Sequence, residues 1–142
     1  MTHNDYSDAD LVRILSSTKT IALVGASQKP ERPSNSVMQF LLRHGYGVTP
    51  INPGLAGQYI HDQLVYENLA AIPHSIDMVD VFRNSREVSA LVDEILALKK
   101  LPKFIWMQLG VYDLLSAQRA EAAGIEVVMN RCPAIEIPRL QL

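Results

Sequence analysis

Five short apolar runs recur along this chain with helical segments between them: Thr20 to Gly25, Gly47 to Asn52, Asp77 to Phe82, Lys103 to Gln108 and Glu126 to Asn130. Most are almost continuously apolar, which suits strands covered on both faces rather than strands with one wet face. Between them, Val37, Phe40 and Leu41 share one helix face, and Val88, Leu91, Val92 and Ile95 share another at helical spacing. Gly45 and Gly124 each follow a helix, where a left-handed C-cap suits glycine. Repeated strand–helix units with right-handed crossovers predict an α/β protein built on one doubly wound parallel sheet of about five strands flanked by helices.

The flanking segments fit this plan with one exception. Ser7-Asp-Ala-Asp10 reads as an N-cap with acids in the first turn, opening a short helix through Leu11, Val12, Ile14 and Leu15. Residues 1–18 are thus expected to form a helical extension. Ser116 to Ala123 reads as the last helix, with small side chains that allow close packing on the sheet. Pro53 to Pro73 is less regular, broken by Gly54, Gly57 and Pro73, with a short helix expected over Val65 to Ala71. No repeat, low-complexity tract or linker interrupts the 142 residues, so one domain is expected.

Composition excludes several functions. A net charge of −2 gives no basic excess for general nucleic-acid binding. Cys132 is the single cysteine, which precludes an internal disulfide and suits a reducing cytoplasm. Met1 to Tyr6 has neither the basic region nor the apolar stretch of a signal peptide, and no run is long enough to span a membrane. A cytoplasmic location is therefore expected. His3, His44, His61 and His74 are scattered without metal-ligand spacing, so no metal is expected.

The first strand ends at Gly25-Ala-Ser27, followed by Lys29-Pro-Glu-Arg-Pro-Ser34 and a helix start. A strand that delivers the chain to the carboxyl edge of a sheet, then a helix N-terminus, makes an anion site. Ser27, Lys29, Arg32 and Ser34 add hydroxyls and cations to it. A dinucleotide fingerprint would need further glycines in this turn and an acid at the end of the second strand, which instead reads Thr49-Pro-Ile-Asn-Pro53. NAD is thereby disfavoured, and NADP lacks its arginine; no Walker loop supports ATP hydrolysis. The other strand ends, Phe82-Arg83-Asn84-Ser85, Trp106-Met-Gln-Leu-Gly110 and Asn130-Arg-Cys-Pro133, converge on Gly25 in this topology. They bring an apolar wall, cations and side-chain amides, although Phe82, Trp106 and Met107 also read as ordinary core residues.

The ordered set Gly25-Ala-Ser27, Arg32-Pro-Ser34, Gly45-Tyr-Gly-Val48, Ile51-Asn-Pro53, Asp80-Val-Phe-Arg83, Trp106-Met-Gln-Leu-Gly110 and Asn130-Arg-Cys-Pro133 closely resembles the small CoA-binding-domain proteins. These are similar to the N-terminal domain of the succinyl-CoA synthetase α subunit, and the resemblance runs from about Lys19 to Leu140. It implies a Rossmann-like fold that binds coenzyme A. It also implies a role for each matching position. Gly25, Ala26 and Ser27 would follow the phosphates, and Lys29 and Arg32 would neutralise them. Asn52 and Pro53 would lie beside the adenosine, with Phe82 and Arg83 across from it. Trp106, Gln108 and Gly110 would border the pantetheine arm, and Asn130, Cys132 and Pro133 would close the site.

The synthetase works through a phosphorylated histidine in a further domain, which this sequence lacks, so the resemblance carries binding over without the chemistry. No triad or carboxylate dyad emerges, and Asp77 and Asp80 flank a strand on opposite faces. Cys132 is the one candidate nucleophile, placed to face the CoA thiol, though a buried structural cysteine is the commoner fate. The expected function is binding of CoA or an acyl-CoA as a carrier, sensor or regulatory module without autonomous catalysis. An NAD(P)-dependent oxidoreductase or nucleotide-modifying enzyme remains an alternative on the same fold. A docking subunit of an acyl-CoA ligase is another, with Tyr59, Ile60 and Tyr66 as exposed contacts. No nucleic-acid or membrane partner is expected, and a homodimer or a partner enzyme stays open.

Overall fold

The computed structural model describes residue 3 and residues 5–142; Met1, Thr2 and Asn4, part of the segment judged against a signal peptide, lie outside the described residues. In chain order the elements are α1 (Asp8–Ser17), β1 (Thr20–Val24), α2 (Pro33–Arg43), β2 (Gly47–Ile51), β3 (Tyr59–Ile60), β4 (Gln63–Leu64), β5 (Met78–Val81), α3 (Val88–Leu96), β6 (Phe104–Met107), α4 (Leu114–Ala122), β7 (Glu126–Val128) and α5 (Pro133–Arg139). Five strands form one sheet in the order β2-β1-β5-β6-β7, every neighbouring pair parallel. This is a Rossmann-like α/β fold.

Alternation of side chains along the strands divides the core into two layers. Ile21, Leu23, Met78, Phe104, Trp106 and Val128 face α1, α2 and α5, where they pack with Leu11, Ile14, Val37, Met38, Leu41 and Ile137. Ala22, Val24, Val79, Val81, Ile105 and Met107 face α3 and α4, against Val88, Leu91, Val92, Ile95, Ala117 and Ala120. Both faces are dry, which explains the unbroken apolar runs. No helix among the described residues is long and apolar enough to cross a membrane.

Local chemistry sets the ends of these elements. The Ser7 hydroxyl accepts from Asp10 N at 3.1 Å and opens α1. At the amino edge of the sheet, the Asp77 carboxylate accepts from Lys19 N at 2.8 Å and Thr20 N at 3.2 Å. Burial alone would raise the pKa of Asp77, but these backbone bonds and the Lys103 charge outweigh it and lower the value. Gly45 and Gly124 take φ of +89° and +92° just past α2 and α4, the left-handed ends that the sequence predicts.

Two departures from the sequence expectations lie outside the main sheet. The helix expected over Val65 to Ala71 is only a 3-10 turn at Leu69–Ala71. Asn68 caps that turn by accepting from Ala71 N at 3.0 Å, and Pro73 follows. Val65 and Tyr66 are instead extended, with Tyr66 N donating to Pro50 O at 3.0 Å and Asn52 N donating to Tyr66 O at 3.1 Å. They continue from the β3–β4 hairpin, whose two-residue turn places both His61 and Asp62 at positive φ, the backbone of a type I′ turn. The second departure is α5. It lies beyond Ser116 to Ala123, the segment that reads as the last helix; its seven residues begin at Pro133 and contain Pro138, with the prolines at the first helical position and near the end.

Among the glycines, the tightest approach to a neighbouring backbone lies where the strand order reverses, between β1 and β5. Gly25 has φ of +91°, and a Cβ there would stand 2.1 Å from the Phe82 carbonyl oxygen. Phe82 N donates to Val24 O at 2.8 Å, and Gly25 N and Ala26 N both reach Ile51 O. Glycine is therefore required first by the chain's own packing. Gly25→Ala should cost about 2–4 kcal/mol, combining an αL penalty with overpacking against backbone. Urea unfolding measures this, and a loss below about 1 kcal/mol would contradict the geometry.

Candidate functional site

Doubly wound sheets bind ligands in the crevice beyond the carboxyl ends of their strands, where the order reverses. A cavity of about 670 Å³ lies there, lined by Gly25, Ser27, Lys29, Arg32, Ser34, Phe82, Arg83, Gln108, Gly110 and Cys132 from the sequence-derived set. That size is ordinary for a small-molecule site. Pro33, Val37, Asn84, Leu109 and Val111 complete the lining. Sequence reasoning did not assign these to the site. Val37 carried the signal of a core-facing helix residue, and the others sat inside or beside the quoted motifs.

The turn after β1 is held from several directions. Asn35 Nδ2 donates to Ser27 O, and Asn52 Nδ2 donates to Ala26 O, each at 2.8 Å. Ser27 Oγ accepts from Lys29 N at 3.1 Å. His61 Nε2 lies 3.0 Å from both Asn35 O and Asn35 Oδ1, tying the hairpin to the start of α2. Pro33 occupies the first turn of α2, and the N-cap Arg32 makes no side-chain capping bond. Lys29 and Arg32 are exposed, and neither has an ion-pair partner among the described residues. Arg83, by contrast, pairs with the Glu87 carboxylate. The free positive charge of the site is thus concentrated at the turn and the helix start, where the α2 dipole adds to it.

The opposite wall is fixed by residues that do not line the cavity. Gly110 has φ of +82°. Its N donates to Asn130 Oδ1 at 2.8 Å, while Asn130 N donates to Val111 O at 3.2 Å. Asn130 itself sits at φ of +59°, a left-handed position that asparagine tolerates. Trp106 is wholly buried, and its Nε1 donates to Arg131 O at 2.9 Å. Trp106 therefore belongs to the core and braces the wall, rather than bordering a channel. Its ring fills the α5 side of the sheet, as the ordinary core reading allowed.

Ala26 and Pro133 are buried beside the cavity without lining it. Cys132 is a free thiol, 7% exposed, at the N-cap of α5 and on the lining. Pro53 faces a second hollow of about 420 Å³ on the α3 side, with Val24, Ile51, Arg83, Arg86 and Leu91 among its lining residues. Arg83 lines both hollows. Asn52 lies on neither lining; its Oδ1 accepts from Gly54 N at 2.9 Å and shapes the loop that carries Pro53. Of the suggested docking residues, Tyr59 is 63% exposed but Ile60 is core at 3%, because the hairpin turns Ile60 inward beneath α2. No cluster suited to a metal ion occurs among the described residues.

A Rossmann-like sheet with a cationic first turn and a cleft at the order reversal defines a nucleotide-ligand-binding class of protein. The chain belongs to the CoA binding domain family, whose model matches residues 19–138. It is 32% identical over 126 residues to the uncharacterized protein YneT of Bacillus subtilis strain 168, covering 89% of this chain and 90% of that one. A hypothetical protein from Pyrococcus horikoshii OT3 superposes with a TM-score of 0.90 at 36% identity, over 100% of this chain and 98% of the other. The dinucleotide-forming acetyl-coenzyme A synthetase 1 of Ca. Korarchaeum cryptofilum shares the fold, with a TM-score of 0.68 at 22% identity, over 82% of this chain and 26% of that chain.

Asp80 lies in the middle of β5 and is wholly buried, with neither carboxyl oxygen hydrogen-bonded. Burial pushes its carboxyl well above the usual carboxylate range. Stability from this group is therefore fully present below the unfolded-state pKa and is lost as pH rises towards the folded value. Asp80→Asn removes the ionisation. Its stability relative to wild type should improve from pH 4 to pH 8, at a slope approaching about 1.4 kcal/mol per pH unit between the two pKa values. Urea midpoints across that range test this; a difference that does not change with pH would refute it.

Proposed function

We propose that this protein binds coenzyme A or an acyl-CoA and acts as a carrier, sensor or regulatory module, without catalysis of its own. The observation that carries the reading is the first cavity. It brings the hydroxyls and cations of Ser27, Lys29, Arg32 and Ser34 together with Phe82, Gln108, Gly110 and Cys132 in one lining, in a chain whose family is named for CoA binding. A ligand with a polyanionic nucleotide end and a long, neutral, thiol-terminated arm matches that mixture of cations, amide and apolar groups.

The phosphates belong at the turn after β1, where two unpaired cations and a helix N-terminus meet. The second hollow offers the adenosine an apolar wall from Val24, Ile51, Pro53 and Leu91, with Arg83 reaching from one hollow to the other. The arm then crosses the first cavity towards Cys132. Catalysis is left out because the lining holds no nucleophile–base pair or carboxylate dyad of the kind acyl transfer uses.

Calorimetric titration with CoA, acetyl-CoA, NAD and NADP tests the reading, and CoA compounds should bind while the nicotinamide cofactors do not. Arg32→Ala should weaken CoA binding roughly tenfold, the contribution of one charge-assisted contact. Because Arg32 is exposed and makes no capping bond, the same change should alter folding stability by less than about 0.5 kcal/mol. Unaltered affinity in the variant would remove the phosphate site from the turn after β1.

A further inference from the structure

Among the described residues, two buried polar side chains lack partners, and strand alternation puts both on the sheet face that carries the first cavity. Both carboxyl oxygens of Asp80 and the Oε1 of Gln108 are shielded from solvent without a hydrogen bond. Gln108 is only 5% exposed, yet it lines the cavity; Asp80 is 0% exposed and does not. Asp80 stands beside Trp106 in the β5–β6 register. Gln108, two residues further along, therefore projects from the same sheet face. Diagonal neighbours on adjacent strands are roughly 7–8 Å apart, within reach of side chains as long as glutamine.

Asp80 can satisfy the Oε1 of Gln108 in one protonation state only. An ionised carboxylate and an amide oxygen are both acceptors, whereas a carboxylic acid has one O–H to give. An isolated carboxylate is costly in this layer: among the described residues, the half-buried Arg131 stacks over the Tyr6 ring, and burial alone acts on Asp80. The other buried titratable side chains on this side of the sheet, among the described residues, are Tyr6, Cys132 and Glu136. The Tyr6 hydroxyl accepts from Met129 N, and Glu136 accepts from Arg139. Arg13 of α1, Arg43 of α2 and Arg139 of α5 are exposed, as are Asp8 and the N-cap Arg32.

We propose that Asp80, as a carboxylic acid, donates to Oε1 of Gln108 and so fixes the amide with Nε2 facing the cavity. Asp80 is then a positioning residue, and Gln108 Nε2 is a donor for a carbonyl oxygen of the ligand. This rests on the coenzyme A reading for the ligand, whose arm carries amide carbonyls and, when acylated, a thioester carbonyl. Ionisation of Asp80 reverses the arrangement. The carboxylate draws Nε2 inward and leaves Oε1 facing the cavity, where it repels the same carbonyl.

The test compares CoA with adenosine 3′,5′-bisphosphate, which shares the nucleotide but has no arm. Asp80→Leu should weaken CoA binding roughly three- to tenfold and leave the bisphosphate unchanged, while Asp80→Asn, which keeps an N–H donor, restores CoA binding. The wild-type affinity for CoA should fall with rising pH, and Asp80→Asn should abolish that fall. Should Asp80→Leu fail to fold, Gln108→Leu gives the same contrast between the two ligands. Equal effects on both ligands, or a pH response that survives in Asp80→Asn, would overturn the proposal. A ligand-free readout separates it from the binding reading. The Gln108 side-chain amide resonances, identified by their loss in Gln108→Leu, should titrate with pH in wild type and not in Asp80→Asn. Resonances indifferent to pH would dismiss the pair even if CoA binds, and titrating resonances would uphold it even if CoA does not.

Discussion

The contact between the Cα of Gly25 and the carbonyl of Phe82 is the constraint on which the site depends. It lets the chain leave β1 for α2 directly over the end of β5, with Gly25 N and Ala26 N turning back to Ile51 O. The ends of β2, β1 and β5 are thereby drawn to one point. A side chain at position 25 would push β1 and β5 apart, and the turn carrying Ser27, Lys29 and Arg32 would shift with them. Packing inside the sheet thus fixes the geometry of the loop above it.

Around that point the protein divides its labour between residues that face the cavity and residues that brace them. Asn35 and Asn52 hold the carbonyls of Ser27 and Ala26. Asn130 and Trp106 hold the loop of Gly110 and the chain at Arg131. The Ser85 hydroxyl accepts from Tyr112 N at 3.0 Å and joins the loop after β5 to the loop after β6. The walls are consequently set by backbone bonds to side-chain amides, a hydroxyl and an indole, and each brace satisfies a group that a loop would otherwise leave unpaired.

The five strands of the main sheet and the place of the cleft were legible because both faces of the sheet are dry. Each strand then writes itself as an apolar run, and each run ends where the site begins. The turn Gly25 to Ser34 was legible through charge and glycine together. Trp106 was harder to read. Its position in a strand is clear from pattern, but whether its indole fills the core or the cleft depends on α5, a helix too short and too rich in proline to announce itself. The segment after Pro53 was unclear for a related reason. Val65 and Tyr66 owe their extended shape to pairing with the end of β2, a partner remote in sequence, and the hairpin before them turns on His61 and Asp62 instead of the usual glycine. Asp80 gave no signal of its own, since an acid inside an apolar run looks the same whether or not it finds a partner.

Lys29 and Arg32 stand in solvent at the rim while the apolar lining lies deeper. An approaching polyanion would feel their field at a distance of about one Debye length, before any surface is dehydrated. Capture and retention are then separate matters: ionic strength governs how fast a ligand arrives, whereas the walls behind the rim govern how long it stays.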